Sequence, residues 1–197
     1  MVSVTSASEA GFAWRARIAA RLDQTPQELK LSGDMRPAAV LVPIVERAEP
    51  TVLLTLRTEH LPTHAGQVSF PGGRFHVSDA SLTETALREL EEEIGISRSL
   101  IELAGYLDFH ETVNSGFLIL PVVGFVREDF ALRVDVHEVA EVFEVPLDFL
   151  LDPKNRVRMR AERGGVIREF DTIQFGTHTI WGATAAMIVN LSERLRD

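Results

Sequence analysis

The sequence predicts an α+β domain in which helices cover both faces of a mixed β-sheet, an α/β/α sandwich. Two observations predict it. Strand-like runs of aliphatic and β-branched residues outnumber helical patterns, and the helical patterns fall at the start, the middle and the end of the chain. The 197 residues match one domain at roughly 100–200 residues each. They divide into an N-terminal helical segment, residues 1–36, resting on a main domain, residues 37–197.

Residues 8–23 carry Ala, Phe, Trp, Ile and Leu at helical spacing, and Pro26 closes that element. Residues 38–46 and 51–57 read as two strands joined by a polar turn containing Pro50. Pro62, Gly66, Pro71, Gly72 and Gly73 make residues 59–80 a long loop with one short strand at 68–70. Loops of that length inside a compact domain are usually functional. A helix is expected over 82–94, strands over 101–109 and 116–126, and weaker strands near 141–144, 156–160 and 166–175. Residues 183–195 read as a closing helix.

Twenty basic against 29 acidic side chains give a net charge of −9. That balance argues against a nucleic-acid binder, which needs a basic face to displace counterions. No apolar run approaches the roughly 20 residues of a membrane span, so no membrane partner is expected. Residues 1–24 carry Arg15, Arg17 and Arg21, but Glu9 and Asp23 spoil the acid-poor character of a targeting segment; the expected location is cytoplasmic. Without cysteine there is no thiol nucleophile or thiolate metal site, and any metal must be held by oxygen or imidazole.

The helix over 82–94 opens on Ser81-Leu-Thr-Glu84, a capping-box pattern, and Gly95 follows its end. At 100° per residue, Ala86, Leu87, Leu90 and Ile94 form an apolar stripe, and Glu89, Glu92 and Glu93 share another face. Three neighbouring carboxylates repel one another unless a cation intervenes, and Mg²⁺ takes one or two carboxylates plus phosphate oxygens and water. Arg88 stands four residues before Glu92, placed to hold its carboxylate. Just upstream, Gly72-Gly73 allow the backbone close to a ligand.

Arg88-Glu-Leu-Glu-Glu-Glu-Ile-Gly-Ile96 resembles the second half of the Nudix box, R-E-U-x-E-E-x-G-U with U aliphatic. In the first half, Gly73 and Asp79 stand one residue earlier than the box spacing, as if one residue were inserted before Arg88. Leu53-Leu-Thr-Leu-Arg57, Gly66 and Phe70-Pro-Gly-Gly73 are similar to the extra signature of the coenzyme A diphosphatase branch, with Thr58 for Ser or Ala and Pro62 for a second Arg. Glu141-Val-Phe-Glu-Val-Pro-Leu147 and Ile180-Trp-Gly-Ala-Thr184 look like later segments of that branch.

The resemblance implies a Nudix-type sandwich that hydrolyses the diphosphate of coenzyme A to 3′,5′-ADP and 4′-phosphopantetheine with Mg²⁺ or Mn²⁺. It implies Glu89 and Glu93 as principal metal ligands, Glu92 as a further ligand or the group positioning water, and Gly73 as a backbone carbonyl ligand. Glu92, Glu93 and Arg88 are then the catalytic candidates. The general base is open between the box, Glu92 or Glu93, and a distal Glu138, Glu141 or Glu144. Arg57, His64, Gln67 and Ser69 are candidate contacts to the nucleotide substrate. His60, His64 and His76 lack metal-ligand spacing, and Trp181, Phe70 and Phe109 can stack on adenine or fill the core. ADP-ribose or another nucleoside diphosphate derivative is the alternative substrate, and a non-catalytic nucleotide sensor the alternative of another class. A homodimer, common among similar proteins, is left open.

Overall fold

The computed structural model describes residues 14–112, 115–163 and 166–196. Of the N-terminal helix expected over 8–23, residues 8–13 lie outside the described part; residues 14–19 are helical (α1). Ile18 and Leu22 are buried in the core, and Trp14 meets Phe125 edge-on at 5.3 Å.

The central strand is β1 (Arg36–Val45). It runs parallel to β7 (Phe117–Val126) over its whole length, Arg36 opposite Phe117 through Val45 opposite Val126. On its other side it meets β2 (Thr51–Arg57) only at Ile44↔Val52 and Val45↔Thr51, and the two strands then part. The opening is filled by β3 (Val68–Ser69), paired with β2, and β4 (Gly72–Arg74), paired with β1 at Ala38 to Val40. Pro43 stands at the parting. The N–H of Leu41 points to that side, where it donates to the Pro71 carbonyl. Pro43, two residues on, shares that direction, so its missing N–H has no partner to lose.

β5 (Ile101–Tyr106) and β6 (His110–Glu111) flank β7, and β8 (Val139–Pro146) lines β2. One parallel pair in an otherwise antiparallel sheet makes it mixed. A second sheet joins β9 (Arg156–Arg163), β10 (Val166–Phe175) and β11 (His178–Trp181).

Alternation along β1 builds two cores. Ala39, Leu41 and Val45 meet Ala86, Leu87, Leu90 and Ile94 of α2 (Leu82–Ile94). Val40, Val42 and Ile44 face the layer holding Leu147 and Leu150 of α3 (Leu147–Leu151) and Ile188 and Leu191 of α4 (Gly182–Leu195). This is the expected α+β sandwich, with the apolar stripe of α2 buried as its spacing requires. The sequence reading missed β4, β6, β11 and α3, all short, and carried β5 three residues too far. Among the described residues, no helix is long and apolar enough to cross a membrane.

Candidate active site

The ends of α2 fix the acidic face. Ser81 Oγ accepts from the Glu84 N–H at 3.2 Å, but the Glu84 carboxylate pairs with Arg98 at 2.7 Å rather than closing the capping box. At the far end Gly95 adopts φ 74° and its N–H donates to Glu91 O at 3.0 Å. A Cβ there would lie 2.5 Å from Arg133 Cβ, so glycine serves both the turn and the close approach of the following loop. That loop takes up the helix's free carbonyls: Arg133 N–H donates to Ile94 O at 2.8 Å and Asp135 N–H to Glu93 O at 2.9 Å. It then delivers Glu138 beside Arg57, 3.8 Å away.

Glu93 lies inside the protein, 3% exposed, with Arg57 Nη1 3.5 Å from its Oε1. Its Oε2 is buried with no hydrogen-bond partner, as is the Nε of Arg57. Burial pushes the Glu93 carboxyl up to about 8; the Arg57 charge opposes this, Glu89 and Glu138 add to it, and a backbone hydrogen bond from Gly72 opposes it. Glu89, half-buried, is raised mainly by burial as well, against the pull of Arg88.

Gly73 is the closest backbone approach. A Cβ on it would fall 2.4 Å from Glu89 Oε1, so only glycine leaves room for that carboxylate. The β3–β4 turn thus brings Gly72 to Glu93 and Gly73 to Glu89.

Glu92 is turned aside: its side chain is 60% exposed and accepts from Arg88 Nη1 at 2.8 Å. Arg88 also donates to Glu89 at 2.9 Å, to the Arg74 carbonyl at 3.2 Å and to both oxygens of Asp79 at 2.9 and 3.1 Å. Thr85 Oγ1 and the His76 N–H complete the Asp79 carboxylate. Arg88 is therefore fully engaged within the protein and holds the carboxylates in place. Asp79, which the shifted box spacing left out of register, is its main partner.

The remaining candidates divide. Arg57 N–H donates to the Gln67 carbonyl at 3.0 Å, and His64 Nδ1 lies 2.9 Å from Gln67 Oε1, so the 59–67 loop folds back beside Arg57. Ser69 Oγ instead bonds Thr55 Oγ1 at 3.1 Å on the β2–β3 ladder. Phe70 is core, Phe109 packs against the α2 core, and Trp181 is 43% exposed at the start of α4. Of the distal carboxylates only Glu138 reaches this site. Glu141 is bonded to His178 and Glu144 is held by Arg47.

Among the described residues, no three His, Asp or Glu side chains form a ready-made metal cage. Two features nonetheless suit a hard divalent cation: the orphaned buried Glu93 Oε2, and the Gly73 backbone set directly against the Glu89 carboxylate. Two carboxylates and a carbonyl leave positions for phosphate oxygens and water, the usual Mg²⁺ arrangement.

The chain matches the NUDIX domain family over residues 35–170. The chain belongs to the Nudix hydrolase family. It is 42% identical over 172 residues to an uncharacterised Nudix hydrolase, NudL, of Yersinia enterocolitica, covering 87% of this chain and 88% of the relative. A Photorhabdus laumondii protein of the same name is 38% identical over 178 residues, covering 89% and 94%. Among solved structures, a MutT/nudix family protein from Enterococcus faecalis superposes with a TM-score of 0.54 at 19% identity, over 95% of this chain and 68% of that one; it supports the fold. As a Nudix hydrolase the chain cleaves phosphorus anhydrides in nucleoside diphosphate derivatives, a family chemistry that generally uses divalent metal ions such as Mg²⁺ or Mn²⁺. The Arg88–Ile96 segment that resembles the Nudix box runs along the end of α2 and the turn after it, with Glu93 buried and Glu89 half-buried.

Proposed function

We propose that this Nudix hydrolase is a coenzyme A diphosphatase, releasing 3′,5′-ADP and 4′-phosphopantetheine. The observation that carries the diphosphatase chemistry is the Gly72-Gly73 segment of β4 laid against two carboxylates, Gly72 on the buried Glu93 and Gly73 on the half-buried Glu89. Preference for coenzyme A is supported by the Leu53-Leu-Thr-Leu-Arg57 and Phe70-Pro-Gly-Gly73 segments, which meet in the structure because β2 and β3 pair beside β4.

In this reading Glu89, Glu93 and the Gly73 carbonyl would hold Mg²⁺ or Mn²⁺, with Glu92 a further ligand or the group positioning water. A metal held there would supply charge neutralisation on the diphosphate oxygens and an acidified water. Arg57 sits beside Glu93 with an uncommitted Nε and turns to the incoming phosphate. Arg88 fixes the rotamers of Glu89 and Glu92. Glu138, exposed to solvent and close enough to Glu89 and Glu93 for its charge to act on both, accepts the proton of the attacking water. His64 and Gln67 border the nucleotide side. Pro62, in place of the branch's second arginine, favours a second reading in which another nucleoside diphosphate derivative such as ADP-ribose is the substrate.

The test is incubation of purified protein with coenzyme A, ADP-ribose and a dinucleotide in Mg²⁺, Mn²⁺ or EDTA, with products identified by mass spectrometry. Metal-dependent release of 3′,5′-ADP and 4′-phosphopantetheine is expected; preferential cleavage of another diphosphate overturns the substrate.

A further inference from the structure

In a chain with 29 acidic side chains against 20 basic, several arginines find carboxylates, Arg15, Arg47, Arg98, Arg127 and Arg194 among them. Arg36 and Arg74 have none among the described residues, and both gather on one ring. Their guanidinium carbons lie 4.3 and 5.2 Å from the centroid of Phe117. Strand register places them there, since Arg36 stands opposite Phe117 across β1–β7 and Arg74 opposite Ala38 across β1–β4.

Each is anchored from behind. Arg36 Nη2 donates to Ser115 O at 3.0 Å, and the Arg74 carbonyl accepts from Arg88 at 3.2 Å. Ring contact partly offsets the cost of two neighbouring cations, but among the described residues their remaining N–H groups meet no acceptor of opposite charge. A doubly charged phosphate bound by both is the arrangement such a pair favours. Arg74 follows Gly73 directly, so this cationic pair borders the carboxylate site through one strand residue, on the other side of β4 by alternation.

We propose that Arg36 and Arg74, gathered on Phe117, form an anion site for a phosphomonoester on the substrate's sugar, separate from the scissile diphosphate. This rests on the coenzyme A reading, in which that group is the 3′-phosphate, one ribose away from the diphosphate. The site also supplies the second phosphate-binding cation that Pro62 removes from the 59–67 loop.

The test compares 3′,5′-ADP with 5′-AMP, which differ only in the 3′-phosphate, by calorimetric titration of the full chain. The wild type is expected to bind 3′,5′-ADP about tenfold more tightly, an effect typical of charge-assisted hydrogen bonds. R36Q/R74Q should reduce that preference to about twofold or less, and R74Q alone, at an exposed position, should reduce it partly. R36K/R74K, keeping the charge, should retain part of it. In turnover, the kcat/KM preference for coenzyme A over dephospho-coenzyme A should fall in the same order, through KM. Absence of any preference in the wild type, including no measurable binding of either nucleotide, overturns the site, as does a preference that survives R36Q/R74Q. Failure to cleave coenzyme A would sink the substrate reading alone, because the nucleotide preference is read without turnover.

Discussion

Arg88 grips both carboxylate oxygens of Asp79, at 2.9 and 3.1 Å, and uses its Nη1 to hold Glu89 and Glu92. The pair lies mostly out of solvent, with Asp79 5% and Arg88 18% exposed. Arg88 holds the Asp79 carboxyl far below the usual carboxylate range. Such a group contributes stability above its unfolded value near pH 4, and that contribution is lost as pH falls further. D79A leaves the guanidinium without its principal partner, which for a buried pair costs about 3–5 kcal/mol. Denaturant unfolding at pH 7 should register that loss, and below about pH 4 the gap between variant and wild type should narrow. A variant as stable as wild type at pH 7 would remove Asp79 from this role.

Glu93 makes the opposite linkage. Its carboxyl, raised to about 8 in the folded metal-free protein, is protonated there at pH 7 but ionised in the unfolded chain. Folding therefore takes up a proton, and stability in EDTA should decline as pH rises from about 4.5 to about 8. Mg²⁺ binding must expel that proton, so calorimetry at pH 7 in buffers of different ionisation enthalpy should find close to one proton released. E93Q should abolish both the slope and the release. A wild type that binds Mg²⁺ without releasing a proton contradicts this.

Gly73 tests the backbone approach without touching a charge. In G73A the new Cβ would stand 2.4 Å from Glu89 Oε1, displacing the carboxylate while the surrounding strands stay paired. The expected result is a 10–100-fold rise, roughly, in the Mg²⁺ concentration needed for activity, with the unfolding midpoint in EDTA little altered. An unchanged metal requirement would place Glu89 outside the metal's reach.

Long elements were legible from the sequence because periodicity and caps agree over many residues. The α2 limits, the β2 limits and the buried stripe of Ala86, Leu87, Leu90 and Ile94 all match. What the sequence concealed depends on contacts distant along the chain. β4 is three residues held by pairing to β1, and nothing local in Gly72-Gly73-Arg74 specifies a strand. The site divided along the same line. Helical spacing grouped Glu89, Glu92 and Glu93 on one face, and only the fold shows Glu93 buried and Glu92 mostly exposed. The Arg88–Glu92 pair was readable at i, i+4, whereas Asp79, nine residues from Arg88, was not. The Phe117 arginines escaped notice because 36, 74 and 117 share no local pattern.

The choice among distal carboxylates was also out of the sequence's reach, since Glu138, Glu141 and Glu144 lie within seven residues. Structure separates them by their partners. The Glu144 carboxyl is held low by Arg47, which it meets at 2.7 and 3.1 Å, so it is a poor proton acceptor. Glu141 is bonded to His178 at 3.0 Å. Glu138 has Arg57 at 3.8 Å as its one charged partner among the described residues, remains half exposed, and its charge raises both Glu89 and Glu93. A base must reach a water lodged among those groups. E138Q should therefore lower kcat by about 100-fold or more while the Mg²⁺ requirement stays near wild type. E141Q should stay within a few-fold of wild type, and E144Q should move the unfolding midpoint rather than kcat. Retention of most activity in E138Q, with full loss in E92Q, would return the base to the α2 face.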